Sequence, residues 1–145
     1  MQDAELQYGR QVIALNKYTV VYSKEREGVY ISHLDFLRTI GRSLRRAGLP
    51  VKYSEGFNPH VCLSFASALG VGVSSECEMF TVILLDAFDT EEIKERLNDA
   101  LPPSIRALKV IDGEIDFSKI AYADYEIISE DGSACTVVCF HLKDC

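Results

Sequence analysis

The chain has 145 residues, 48% apolar and 26% charged, enough for the core of one domain and too short for two ordinary ones. Its longest apolar runs, such as 82–85, fall far short of the ~20 residues a helix needs to cross a bilayer, so no membrane association is expected. The acidic start, Met1-Gln2-Asp3-Ala4-Glu5, lacks the apolar stretch of a signal peptide. The five cysteines are odd in number and scattered, which points to a reducing cytoplasm rather than a disulfide framework.

Net charge is −7, against a general nucleic-acid binder. The distribution qualifies this. Residues 1–60 carry nine Lys/Arg and six Asp/Glu, whereas residues 61–145 carry six and sixteen. An acidic body with one local anion-binding face is compatible with that split.

Residues 1–16 read as a leader, either a short helix or disordered. Residues 17–24 are β-branched and aromatic and predict a strand. A charged turn at 25–28 and a short extended piece at 29–31 follow. The clearest helix is 32–48, with Ser32 as N-cap, Asp35 three residues on, and Gly48 and Pro50 as its stop. At 100° per residue, Leu34, Leu37, Ile40, Gly41, Leu44, Ala47 and Gly48 share one face, and Arg38, Arg42, Arg45 and Arg46 the opposite one. The spacing then predicts short strands at 51–53 and 61–65 around a loop at 54–60, and a small-residue loop at 66–75. A strand at 78–85, a helix capped by Thr90 and running through Leu101, and a strand at 105–111 follow.

If 51–53 and 61–65 are one interrupted edge element, the order is that of an α+β, ferredoxin-like split βαβ sandwich over residues 17–112. Residues 113–145 then form a C-terminal extension. Within it, 120–128 and 134–142 make a β-hairpin that either extends the sheet or begins a second unit.

Four constellations bear on chemistry. Arg38, Arg42, Arg45 and Arg46 form a stripe suited to phosphate oxygens, unless it is merely a solvated helix face. His60, with Asn58, lies in a Gly-Phe-Asn-Pro-His loop whose residues fix backbone shape, and His33 opens the helix. These histidines converge on an anion or perform acid–base work, or else His33 packs at the domain edge and the loop residues cap a turn. Gly70 and Gly72 lack a nucleotide-binding fingerprint. Cys135, Cys139, His141 and Cys145 resemble a metal set. On a strand, however, Cys135 and Cys139 stand roughly 13 Å apart, so neither a metal nor any other cofactor is expected.

Several uncommon words occur here in one order. They are Tyr30-Ile-Ser-His-Leu-Asp-Phe-Leu-Arg38, Arg45-Arg-Ala-Gly-Leu-Pro50, Tyr53-Ser-Glu-Gly-Phe-Asn-Pro-His60, Leu63-Ser-Phe65 and Gly70-Val-Gly-Val-Ser-Ser-Glu76. Together, over about 17–125, they resemble the radical-SAM-linked bacterial domain family DUF2344, a domain of unknown function. In that family the domain stands alone or is fused behind a radical SAM enzyme. The resemblance implies an accessory role beside such an enzyme, with RNA as a candidate ligand. The chain lacks the Cys-x3-Cys-x2-Cys cluster motif, so it is not itself the radical SAM catalyst.

The expected function is therefore an accessory binding module. It would recognise RNA or a phosphate-bearing substrate through Arg38, Arg42, Arg45, Arg46, Asn58, His60 and His33. The rivals are a protein–protein adaptor without nucleic-acid binding and a small His-dependent phosphodiester-acting enzyme.

Overall fold

The computed structural model describes residues 6–8, 11–13, 15–67, 71–128 and 134–142, with the terminal strands described mainly through their backbone. It is a mixed α+β fold of two helices on a β-sheet.

The central strand is β3 (Asn16–Lys24), after two short strands, β1 (Leu6–Tyr8) and β2 (Gln11–Ile13). β1 and β2 pair antiparallel with each other, so the described residues 6–8 and 11–13 are extended and paired, in place of the short helix or disordered leader expected there. β3 is flanked on both sides. β5 (Val73–Leu84) runs antiparallel to it with Tyr22 opposite Glu78, and β6 (Ile105–Asp112) runs antiparallel along its other edge. The short β4 (Leu63–Phe65) pairs antiparallel with β5, which completes a four-strand antiparallel sheet in the order β4-β5-β3-β6. β7 (Ile120–Ile128) pairs with β8 (Ala134–Leu142), and β8 runs parallel to the start of β5 at residues 73–75.

Strand alternation sets the core. Tyr18, Val20 and Tyr22 of β3 and Phe80, Val82 and Leu84 of β5 share the face on which both helices pack. Helix α1 (His33–Arg46) buries Phe36, Ile40, Gly41, Ser43 and Leu44, and helix α2 (Thr90–Ala100) buries Ile93, Leu97 and Ala100. The expected α1 face is thus rotated. Phe36 and Ser43 join Ile40 and Leu44 on the sheet side, and Leu34 is 57% exposed. Phe36 decides this rotation, because its ring stacks on Tyr22 at 5.4 Å and meets Phe65 at 5.8 Å. An aromatic side chain buries more area than leucine and takes the central position.

Both ends of α1 follow the expected chemistry. Ser32 Oγ accepts Asp35 N–H at 3.2 Å and donates to Asp35 Oδ2 at 3.0 Å. Gly48 takes φ +74 while its N–H reaches the Arg45 carbonyl, and buried Leu49 follows. The strands expected at 51–53 and 61–65 are reduced to two isolated bridges and the short β4. Val51 bridges to Leu84 and Tyr53 bridges to Val61 before β4 begins.

Three local expectations are corrected. Residues 26–30 form a 3-10 turn rather than a turn and a strand, held as Glu25 N–H donates to the Ser104 carbonyl at 2.9 Å. β5 begins at Val73, five residues earlier than expected, because Ser75 and Glu78 are accommodated inside the sheet. Asp89, not Thr90, is the N-cap residue of α2. Residues 129–133, where the hairpin turn is expected, and residues 68–70 with Gly70 lie outside the described residues.

Candidate functional site

Helix α1 and the 54–60 loop are the two walls of a groove. Its volume is about 560 Å³, within the ~300–1,000 Å³ typical of ligand sites. Arg38, Arg42 and Arg45 line the helix wall, and Tyr53, Pro59 and His60 the loop wall. Leu34, Leu37, Gly41, Val61 and Leu63 supply the rest of the lining. Gly41 brings the walls together, because a Cβ there would already stand 3.4 Å from Val61 Cγ2. The leucines expected in the core therefore work partly as groove lining.

All four arginines are exposed. Arg38 donates to Asp35 Oδ1 at 3.1 Å, an exposed pair of little energetic weight. Arg46 reaches the Ala100 carbonyl at 3.4 Å. Arg42 and Arg45 have no ion pair or hydrogen bond among the described residues. A guanidinium that balances no internal carboxylate is available to an external anion. Arg42 also lines a second hollow of about 410 Å³, with Thr39, Ser43, Arg46 and Asp99. The stripe thus runs from the groove into this hollow along roughly 12 Å of helix, at ~1.5 Å per residue from Arg38 to Arg46.

The loop wall is pinned at its base. Ser54 N–H donates to the His60 carbonyl at 2.8 Å, and His60 N–H donates to Ser54 Oγ at 3.1 Å. Ser54 Oγ also stands 2.9 Å from His60 Nδ1. When the serine hydroxyl gives its hydrogen to Nδ1, the neutral ring carries its proton on Nε2, a donor for an anion. Gly56 has φ +126 with open space around it, which lets the loop reverse and leaves Phe57 fully exposed.

Not every expected site residue joins the groove. Asn58 is exposed and does not line it. His33 is half-buried, with its ring edge-on to Phe65 at 5.4 Å between centroids, so it packs at the edge of the core. A His33–His60 pair at one reaction centre has no support in this arrangement. The side chains of Cys135, Cys139 and His141, and the whole of Cys145, lie outside the described residues. Among the described residues, no group of three His, Cys, Asp or Glu side chains converges as a metal site. Among the described residues, no helix is long and apolar enough to cross a membrane.

A second polar cluster escapes a reading by motif. Glu78 and Lys24 are almost completely buried, beside Tyr22. Ser67 Oγ donates to Glu78 Oε2 at 3.1 Å, and Lys24 Nζ donates to the Ile31 carbonyl at 3.4 Å while lying 5.2 Å from the Phe36 ring centre. Burial raises the Glu78 carboxyl to about 7, opposed by the hydroxyls of Ser67 and Ser75 and by Lys24. Burial lowers Lys24, opposed by Glu78, and burial together with Glu78 raises Tyr22. Neither the groove nor the second hollow is lined by Tyr22, Lys24 or Glu78. The cluster is a polar inclusion in the sheet, and among the described residues none of its buried side-chain polar atoms lacks a hydrogen-bond partner.

No curated protein matches the sequence. The family model described as an uncharacterized protein conserved in bacteria (DUF2344) matches residues 17–140, and the chain belongs to that family.

Proposed function

We propose that the chain is an accessory binding module that recognises RNA or another phosphate-bearing ligand in the groove between α1 and the 54–60 loop. The observation that carries the proposal is the joint lining of one groove by Arg38, Arg42, Arg45 and His60, with Arg42 and Arg45 not committed to internal partners. Arg42 and Arg45, which pair with no acid among the described residues of a chain of net charge −7, mark the place where an anion is favoured. We read the strand order β4-β5-β3-β6 as a ferredoxin-like split βαβ, with β7 and β8 as its C-terminal hairpin extension. We place the protein in the cytoplasm beside a radical SAM enzyme, a partnership supported by the resemblance of the motif words and not by the groove.

The test is binding of a labelled RNA oligonucleotide across a salt series. Affinity should fall steeply with salt, and Arg42→Glu should weaken it and flatten the slope by at least ~0.7, the share of one phosphate contact on a single strand. Salt-independent binding, or an Arg42→Glu protein that binds normally, would remove the groove from consideration.

One observation favours the adaptor reading. Tyr30, Leu34 and Phe57 are exposed apolar side chains, and Leu34 lines the groove. Co-purification of a partner protein that survives nuclease and depends on these residues would favour it.

A further inference from the structure

The groove is not lined by cations alone. Tyr53, on the wall facing the arginines, is 39% exposed, and its hydroxyl has no partner among the described residues. Phe57, fully exposed, follows the positive-φ Gly56. It lies two residues before Pro59, hence within about 7 Å of the groove wall by chain length. Tyr53 therefore lines the loop side of a groove whose helix side carries a row of guanidiniums, and the exposed ring of Phe57 belongs to the same loop, outside the lining.

Building on the anion-binding proposal, we infer that the ligand is an unpaired nucleic acid strand, with its phosphates along the arginine stripe and its bases against Tyr53 and Phe57. Three features select this class. First, the cations recur along roughly 12 Å of helix and pass from one hollow into a second through Arg42. A single phosphate group would use one end of such a row, whereas a polyanion uses its length. Second, a ring kept in water at a loop tip gains by covering a base face, and every base offers one. A duplex hides its bases, so it would leave Tyr53 and Phe57 without a partner. Third, the loop wall is fixed by Ser54 and His60 before any ligand arrives, so placing Tyr53 costs little additional order.

RNA and DNA single strands share this chemistry, and the experiment separates them. Fluorescence anisotropy would be run on the whole chain with a labelled ten-nucleotide RNA, the DNA of the same sequence, a blunt duplex of the same length and inorganic polyphosphate. The expected order places a single strand at least tenfold above the duplex and polyphosphate, and tighter RNA than DNA would name RNA as the source. Phe57→Ala and Tyr53→Leu should each weaken single-strand binding about fivefold to a hundredfold and leave duplex binding unchanged. Phe57 makes no packing contact to lose, so its substitution keeps the test readable if Tyr53→Leu fails to fold. Equal binding of duplex and single strand, with both ring variants inert and Arg42→Glu harmful, would overturn the stacking inference and leave the anion groove standing. Binding of none of the four probes would overturn both.

Discussion

Ser54 Oγ holds His60 twice, accepting its backbone N–H at 3.1 Å and standing 2.9 Å from its ring Nδ1. The serine is thus the hub of the loop wall, and His60 is one of the residues that line the groove. Ser54→Ala removes both side-chain contacts and should destabilise the fold by about 1 kcal/mol. His60→Ala keeps both backbone bonds across the loop base and should cost less stability while reducing affinity for an anionic ligand. Thermal unfolding and oligonucleotide binding measured on the two variants check the split. A large loss of stability in His60→Ala with intact binding would make the ring a turn cap and nothing more.

Leu34 and Phe36 should behave oppositely to what helix periodicity alone expects. Leu34 is more than half exposed, whereas Phe36 is buried between Tyr22 and Phe65. Phe36→Ala should cost about 3–5 kcal/mol, in the range for an aromatic removed from a core. Leu34→Ala should cost well under 1 kcal/mol. Chemical denaturation of both variants measures the difference, and comparable losses would place Leu34 in the core after all.

Gly28 is required for space rather than for an unusual φ. A Cβ at this position would stand 3.0 Å from Ser104 Oγ and 3.1 Å from Ser104 Cβ, with the Ser104 carbonyl at 3.4 Å. Gly28→Ala should therefore destabilise by about 1–3 kcal/mol, as overpacking does. Adding Ser104→Gly should recover part of that loss by removing the nearer atoms. No recovery in the double variant would shift the cause to the 3-10 backbone itself.

Much of this was readable because the local rules agree. Ser32, Gly48 and the arginine spacing define α1 within two residues, and the β-branched run defines β3. The Gly-Phe-Asn-Pro-His segment is a loop whose His60 does share a groove with the stripe. Angles along a helix do not say which apolar residue sits deepest, since that depends on what the sheet offers opposite it. Phe36 won that place through Tyr22 and Phe65, two partners distant in sequence. Of the two readings of His33, packing at the domain edge is the one its contact with Phe65 on β4 favours, a partner that helix angles alone do not reveal. The Lys24–Glu78 cluster left a signal of a different kind. Glu78 has the same strand parity as Phe80, Val82 and Leu84, and Lys24 the same parity as Tyr18, Val20 and Tyr22. Charged residues in phase with a core face are candidates for burial, but only strand boundaries reaching back to Val73 make that phase count.

The buried carboxyl of Glu78 should make stability depend on pH in a direction opposite to the usual acid unfolding. Its ordinary value is 4.5, and burial raises it to about 7 in the folded chain. Between these values the unfolded chain has released the proton and the folded chain still holds it. Stability from this group is therefore complete below about pH 4.5 and is lost as pH rises through about 7. The size is on the order of 3 kcal/mol, at 1.36 kcal/mol for each tenfold change in proton affinity. Lys24, lowered by burial, adds the opposite trend at higher pH, where the folded chain releases its proton before the unfolded one does. Glu78→Gln isolates the carboxyl, because an amide of the same shape keeps a hydrogen-bonding partner for Ser67 and does not titrate. Denaturant unfolding from pH 4.5 to 7.5 should show the native protein losing stability relative to Glu78→Gln across that window, with the two curves parallel above it. A native protein that gains stability on Glu78→Gln as pH rises would mean that the carboxylate is ionised in the folded state and held there by Lys24.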